Sequence, residues 1–116
     1  MTDMSTTSRL DDGVAVVSVA GYVDIATAPR LAEALDAAAQ PGVSAIIVSL
    51  QRCDYCDSTG LTVLLKRAQA TQNFFVAVPS ESPVRRVFRI ASVEEALGVV
   101  ETVADAKKRL SEASIA

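Results

Sequence analysis

The sequence predicts an α/β domain with a mixed central sheet of about five strands and about four helices, in the order β-β-α-β-α-β-α-β-α. Two observations carry this. Three apolar runs rich in β-branched and aromatic residues, VAVVSVAG from Val14, SAIIVSL from Ser44 and FFVAV from Phe74, are each too short for a typical helix and read as central strands. The stretches between them carry helix starts, helix stops and apolar residues at helical spacing. Strands alternating with helices imply right-handed βαβ units on a largely parallel sheet.

The elements follow in order. Residues 4–10 read as an edge strand, and Asp11-Asp12-Gly13 as the turn into the first central strand, which Gly21 ends. Thr27 is placed to cap the first helix and Pro29 suits its first turn. Ala28, Leu31, Ala32 and Leu35 form its apolar face, and Pro41-Gly42 stops it. After the strand Ser44–Leu50, residues Gln51–Asp57 read as a connection, and a second helix opens at Ser58-Thr59-Gly60. Leu61, Leu64, Leu65 and Ala68 mark its buried stripe, with Lys66, Arg67 and Gln69 outward, and Asn73 ends it. Pro79 closes the third central strand. Ser82 and Pro83 then start a helix that turns Val84, Val87, Phe88 and Ala91 inward. A short strand at Gly98–Glu101 precedes a terminal helix from Thr102 to about Glu112, with Val103, Ala106 and Leu110 on one face. No repeat or linker interrupts this order, so a single domain over 1–116 is expected.

Composition narrows the function. The chain of 116 residues has no histidine, which removes the usual general base, the commonest metal ligand and the ordinary pH switch. Classical triads and His-based metal sites are therefore excluded, and no metal or cofactor is expected. The formal charge of −3 speaks against a nucleic-acid binder. Residues 1–57 hold eight acidic and three basic groups, and residues 58–116 hold six acidic and eight basic, an asymmetry that hints at protein partners. No apolar run is long enough to span a membrane, and the first residues lack the layout of a signal peptide. A cytoplasmic protein without membrane contact is expected, its two cysteines thiols rather than a structural bridge.

In parallel sheets function gathers at the carboxyl ends of the strands. The loops there are Gly21–Thr27 and Gln51–Gly60. In the second, Asp57-Ser58-Thr59-Gly60-Leu61 places a serine hydroxyl beside unpaired backbone N–H groups and the positive end of a helix, a seat suited to phosphate. Read structurally, the same string is a capping Asp57 or Ser58 followed by a glycine that lets the helix approach a neighbour.

These pieces resemble the STAS domain family, which includes anti-sigma factor antagonists and the cytoplasmic domains of sulfate transporters. The likeness rests on Gly21-Tyr22-Val23-Asp24 with Thr27-Ala28-Pro29, on Ile46-Ile47-Val48-Ser49-Leu50 followed by Asp57-Ser58-Thr59-Gly60-Leu61, and on Ser82-Pro83-Val84 to Ala91; it covers about residues 8–110. The resemblance implies a STAS-type fold and a partner switch. In the phosphorylatable antagonists the first hydroxyl residue after the motif's aspartate is the acceptor. That residue is Ser58 here, with Thr59 a secondary candidate. Asp24, Asp57, Ser58, Thr59, Gly60 and Leu61 are implied to form the partner-binding surface. The unmodified protein would bind an anti-sigma factor, an ATP-binding serine kinase, and free its sigma factor. Phosphorylation of Ser58 would end that binding, and a serine phosphatase would restore it. The chain departs from the family pattern at Ser49, where an aspartate is common, and at Cys53 and Cys56, where bulky apolar residues are common.

Cys53 and Cys56 have the C-x-x-C spacing of a redox pair. Small buried hydrophobes are the preferred reading, with a regulatory disulfide as the alternative and no zinc site, since no histidine or second pair accompanies them. Arg85, Arg86 and Arg89, and Lys107, Lys108 and Arg109, read as solvated helix faces. Two competing functions stay open: a stand-alone STAS subunit of a transport system or ligand sensor with Ser58 unused, and a redox-switched or thiol-disulfide module using Cys53 and Cys56.

Overall fold

The computed structural model describes residues 3–115; residues 1, 2 and 116 of the expected domain span lie outside them. Its elements are β1 (Met4–Asp11), β2 (Val14–Val23), α1 (Ala28–Ala38), β3 (Ala45–Cys56), α2 (Ser58–Ala70), β4 (Phe74–Ala77), α3 (Pro83–Ile90), β5 (Val99–Val100) and α4 (Val103–Ile115). The order is the one predicted. One five-stranded sheet is arranged β1-β2-β3-β4-β5, with β1 antiparallel to β2 and every other neighbouring pair parallel.

Strand alternation divides the core into two layers. On one face, Val17 and Val19 of β2, Ile46, Val48 and Leu50 of β3, and Val76 of β4 meet Leu31 and Leu35 of α1, Leu64 of α2, and Val84 and Phe88 of α3. On the other, Val16, Ile47, Ala77 and Val100 pack with Ala106 of α4. The central strands are thus buried on both faces, which is why they read as unbroken apolar runs.

Two strand ends differ from expectation. β2 continues through Gly21 to Val23, and β3 through the supposed connection to Cys56. Gly21 permits this because it adopts a φ of +93°, and a side chain there would strike the Asp3 carbonyl oxygen at 2.1 Å. The β2–β3 register also slips twice. Ser18 faces Ser49 but Ala20 faces Arg52, and Gly21 faces Cys53 but Tyr22 faces Tyr55, so β3 carries an extra residue at each slip. Such bulges hide a strand from a periodicity of two.

The helices show smaller corrections. Thr27 stands before α1 but does not cap it, because its hydroxyl turns back to donate to the Tyr22 carbonyl oxygen at 2.8 Å and accept from the Asp24 amide at 2.9 Å. On α3 only Val84 and Phe88 are buried; Val87 and Ala91 stay outside the core, and Ile90 is 76% exposed. Arg85 is no solvated face residue. Its guanidinium donates to Glu94 at 2.5 Å and to the Val78 carbonyl oxygen at 2.9 Å, tying α3 to the strand end. Arg89 donates to the Ser80 carbonyl oxygen, and Lys107 pairs with Asp11. No helix among the described residues is long and apolar enough to cross a membrane.

Candidate functional site

The bulged extensions of β2 and β3 decide where the candidate residues lie. The loops that follow them are short: 24–27 before α1, and Asp57 alone before α2. They leave the sheet side by side, since Val23 faces Cys56 and the Asp57 amide donates to the Val23 carbonyl oxygen at 3.0 Å. Asp24 and Ser58 therefore start from neighbouring strand ends.

Asp24 organises the first loop. One of its carboxylate oxygens accepts from the Ala26 amide at 3.0 Å and the Thr27 amide at 3.1 Å, which makes it a turn-forming residue in its own right. The backbone then presents Ile25 to solvent, 76% exposed.

At the second loop, Asp57 is the helix cap. Its carboxylate accepts from the Thr59 amide at 2.9 Å and the Gly60 amide at 3.1 Å, satisfying two of the donors that a helix start leaves unpaired. Ser58 is the first residue of α2, and the capping work falls to its neighbour. Its side chain is exposed, and its hydroxyl makes no hydrogen bond to any described residue. Ser58 takes part only through its carbonyl oxygen, which accepts from the Thr62 hydroxyl at 2.8 Å. Thr59 and Leu61 are half-buried and Gly60 is buried.

Gly60 has a steric reason to be glycine. A Cβ there would lie 2.5 Å from Val23 Cγ1 and 2.9 Å from Cys56 Sγ. The first turn of α2 rests on the ends of both strands, and Cys56 is part of its seat.

The two thiols are free and buried, 4% and 2% exposed for Cys53 and Cys56. Cys53 donates to the Tyr55 carbonyl oxygen at 3.3 Å, and Cys56 to that of Asp57 at 3.7 Å. Burial pushes Cys53 up to about 11 and Cys56 up to about 12, with the negative charge of Asp54 and Asp57 adding to the respective shifts. A helix start normally lowers a thiol's pKa; here desolvation wins, and both sulfurs are held as neutral packing groups. Among the described residues no cluster of three or more His, Cys, Asp or Glu side chains could hold a metal ion.

Sequence reasoning missed one surface feature. Tyr22 and Tyr55 face each other across the strand ends with ring centroids 6.0 Å apart, and both are exposed, 39% and 46%. With Ile25 they place apolar surface at the same sheet end as Ser58. Continuing strand alternation past Gly21 would have shown it, because Tyr22 then falls opposite the inward Val23.

Comparison with known proteins adds an independent line. The family model described as "Mlab, STAS domain" matches residues 6–101. The anti-sigma-F factor antagonist RsfB of Mycobacterium tuberculosis is 27% identical over 97 residues, spanning 82% of this chain and 80% of that protein. The anti-sigma-B factor antagonist of Staphylococcus aureus is 31% identical over 88 residues, 73% of this chain and 82% of that protein. Among solved structures, an anti-sigma factor antagonist from Mycobacterium paratuberculosis superposes with a TM-score of 0.85 at 26% identity, covering 92% of this chain and 93% of that one. The anti-sigma factor antagonist SpoIIAA in its unphosphorylated form shares the fold, with a TM-score of 0.70 at 20% identity over 93% of this chain and 97% of its own.

Proposed function

The chain belongs to the STAS domain family, and from that premise we propose that it is an anti-sigma factor antagonist switched by phosphorylation of Ser58. The observation that carries the switch is the division of labour between Asp57 and Ser58. Because Asp57 accepts the Thr59 and Gly60 amides, the Ser58 hydroxyl is exposed and uncommitted. A kinase can take it without uncapping the helix.

The unmodified protein binds the anti-sigma factor through the surface around Asp24, Asp57 and Ser58–Leu61, with Tyr22, Ile25 and Tyr55 supplying apolar contact area. That binding releases the sigma factor. The anti-sigma factor acts as a serine kinase: the γ-phosphoryl group of its ATP passes to Ser58 Oγ, the hydroxyl proton leaves, and ADP departs. A serine phosphatase hydrolyses the ester. This chain is the substrate in both steps and needs no catalytic group.

Physical chemistry supports the change of affinity. The phosphate adds about −1.5 to −2 charges and three acceptor oxygens. The N-terminal end of α2 tolerates that charge within the folded protein, so the domain survives. A partner fitted to a neutral hydroxyl instead meets a dianion that it must desolvate beside Asp57. Binding is lost and folding is kept.

The competing readings have less in their favour. A transport-system subunit rests on likeness of fold, such as that to a sulfate transporter family protein of Wolinella succinogenes at 20% identity. A thiol-disulfide module is opposed by the burial of both sulfurs.

The test is calorimetry with the cognate anti-sigma factor kinase. Ser58→Ala should bind like the unmodified protein and stay bound in the presence of ATP, whereas Ser58→Asp should fail to bind. Equal binding by both variants would reject the proposal. Intact mass after incubation with kinase and ATP should rise by one phosphoryl group, mapped to Ser58.

A further inference from the structure

A second site lies on the sheet face opposite α1 and α2. There α4 covers the lower half, where Ala106, Val103 and Leu110 pack around Val16, Ile47, Ala77 and Val100. Beyond that cluster, β1, β2 and β3 leave an open groove of about 320 Å³. Its floor is polar although it is built on central strands. The register aligns three hydroxyls in one row across three strands, Thr7 facing Ser18 and Ser18 facing Ser49. One step further along, Ser5 faces Ala20, and Ala20 faces Arg52. All of these residues line the groove.

Ser49 is the informative member. It sits between Val48 and Leu50, two fully buried core residues, and is itself only 7% exposed. Yet its hydroxyl makes no hydrogen bond to any described residue. Among the described residues no fully buried side-chain oxygen or nitrogen lacks a hydrogen-bond partner, so the Ser49 hydroxyl is the part of the residue that reaches the groove, where an incoming group can meet it. Arg52 completes the arrangement. It is exposed, and its guanidinium forms neither an ion pair nor a hydrogen bond with any described residue.

The chemistry of this set defines its complement. A guanidinium offers only donors, and the hydroxyls of Thr7, Ser18 and Ser49 can all donate into the same space. An acceptor-only, negatively charged group satisfies them together, and it is the guanidinium that favours such a group, pairing with it in a two-pronged geometry. We propose that this groove binds a small molecule through a phosphate or sulfate group, held by Arg52 and by the hydroxyl row Thr7, Ser18 and Ser49. The site is on the other side of the sheet from α2 and is independent of the Ser58 switch. The two meet only through β3, whose residues supply Ser49 and Arg52 and whose end leads into Asp57.

Amide chemical shifts of the full chain, followed by NMR during titration with phenyl phosphate, inorganic phosphate and phenol, test this. Phenyl phosphate and inorganic phosphate should produce saturable shifts centred on Thr7, Ser18, Ser49 and Arg52, and phenol none. Arg52→Gln should weaken phenyl phosphate about tenfold or more, the loss expected of one charge-assisted contact. Ser49→Val should weaken it several-fold while raising the thermal midpoint, because it fills the strand position with an apolar side chain. Absence of saturable shifts at millimolar phosphate, shifts confined to residues 57–61, or an unchanged affinity in Arg52→Gln would each overturn the proposal.

Discussion

Gly60 of α2 and Val23 of β2 are packed so closely that a single methyl group between them would lie 2.5 Å from Val23 Cγ1. Val23 is fully buried and Cys56 lies on the other side of the gap, so neither has room to yield.

Gly60→Ala therefore sets two effects against each other. Alanine is favoured over glycine in a helix by about 1 kcal/mol, but overpacking a tight core contact costs about 1–3 kcal/mol and shifts the backbone. Sterics should win. We expect a lower urea midpoint than the parent and slower phosphorylation of Ser58, because the first turn of α2 must lift off its seat. A variant with an unchanged midpoint would show that the helix start can slide freely.

Asp57→Ala should separate stability from switching. Loss of the cap costs about 1 kcal/mol, measurable by urea unfolding. The Thr59 and Gly60 amides then need another acceptor, and the adjacent Ser58 hydroxyl is the nearest substitute. Ser58 should become a poorer phosphoryl acceptor even at temperatures where the variant is fully folded. Asp57→Asn, which keeps an acceptor oxygen, should recover much of the stability and of the phosphorylation rate.

The thiols make a pH prediction whose sign is fixed. Their folded-state values of about 11 and about 12 lie above the ordinary value of 9.0, so the native state holds its protons more tightly than the unfolded chain. Their contribution to stability is complete below pH 9 and is lost as pH rises toward 11–12. Urea midpoints should fall over that window, and less so in a Cys53→Ala, Cys56→Ala double variant. At neutral pH both sulfurs should react with a maleimide at a rate set by unfolding. Fast labelling of Cys56 would restore the redox reading.

Much of the architecture was legible because the core is built from uninterrupted apolar strands. Val16 and Val17 of β2, and Ile47 and Val48 of β3, are buried on opposite faces in turn, and such adjacent pairs announce two-sided strands. The strand ends were not legible, and the reason is local. Gly21 looks like a terminator but lets β2 continue at a positive φ, and Gln51, Arg52 and Asp54 are exposed residues inside the bulged β3 that break the alternation. At the candidate site, the Asp57–Gly60 string displayed both a cap and an acceptor. Only the folded loop assigns the cap to Asp57 and leaves Ser58 uncommitted. The hydroxyl row of Thr7, Ser18 and Ser49 could not be read at all, since it exists only when three strands are in register.

The sheet order carries a consequence for how the chain folds. Because β1 to β5 lie in the sheet in the order of synthesis, each strand docks on the one that emerged just before it. No strand waits for one that has yet to be made, although each of the three parallel pairings must first close a helix-bearing crossover, the kind of non-local contact that slows folding. The long-range closure comes from α4, whose Lys107 reaches back to Asp11 on the first strand. The ribosome can release a nearly complete sheet before that last helix seals its second face.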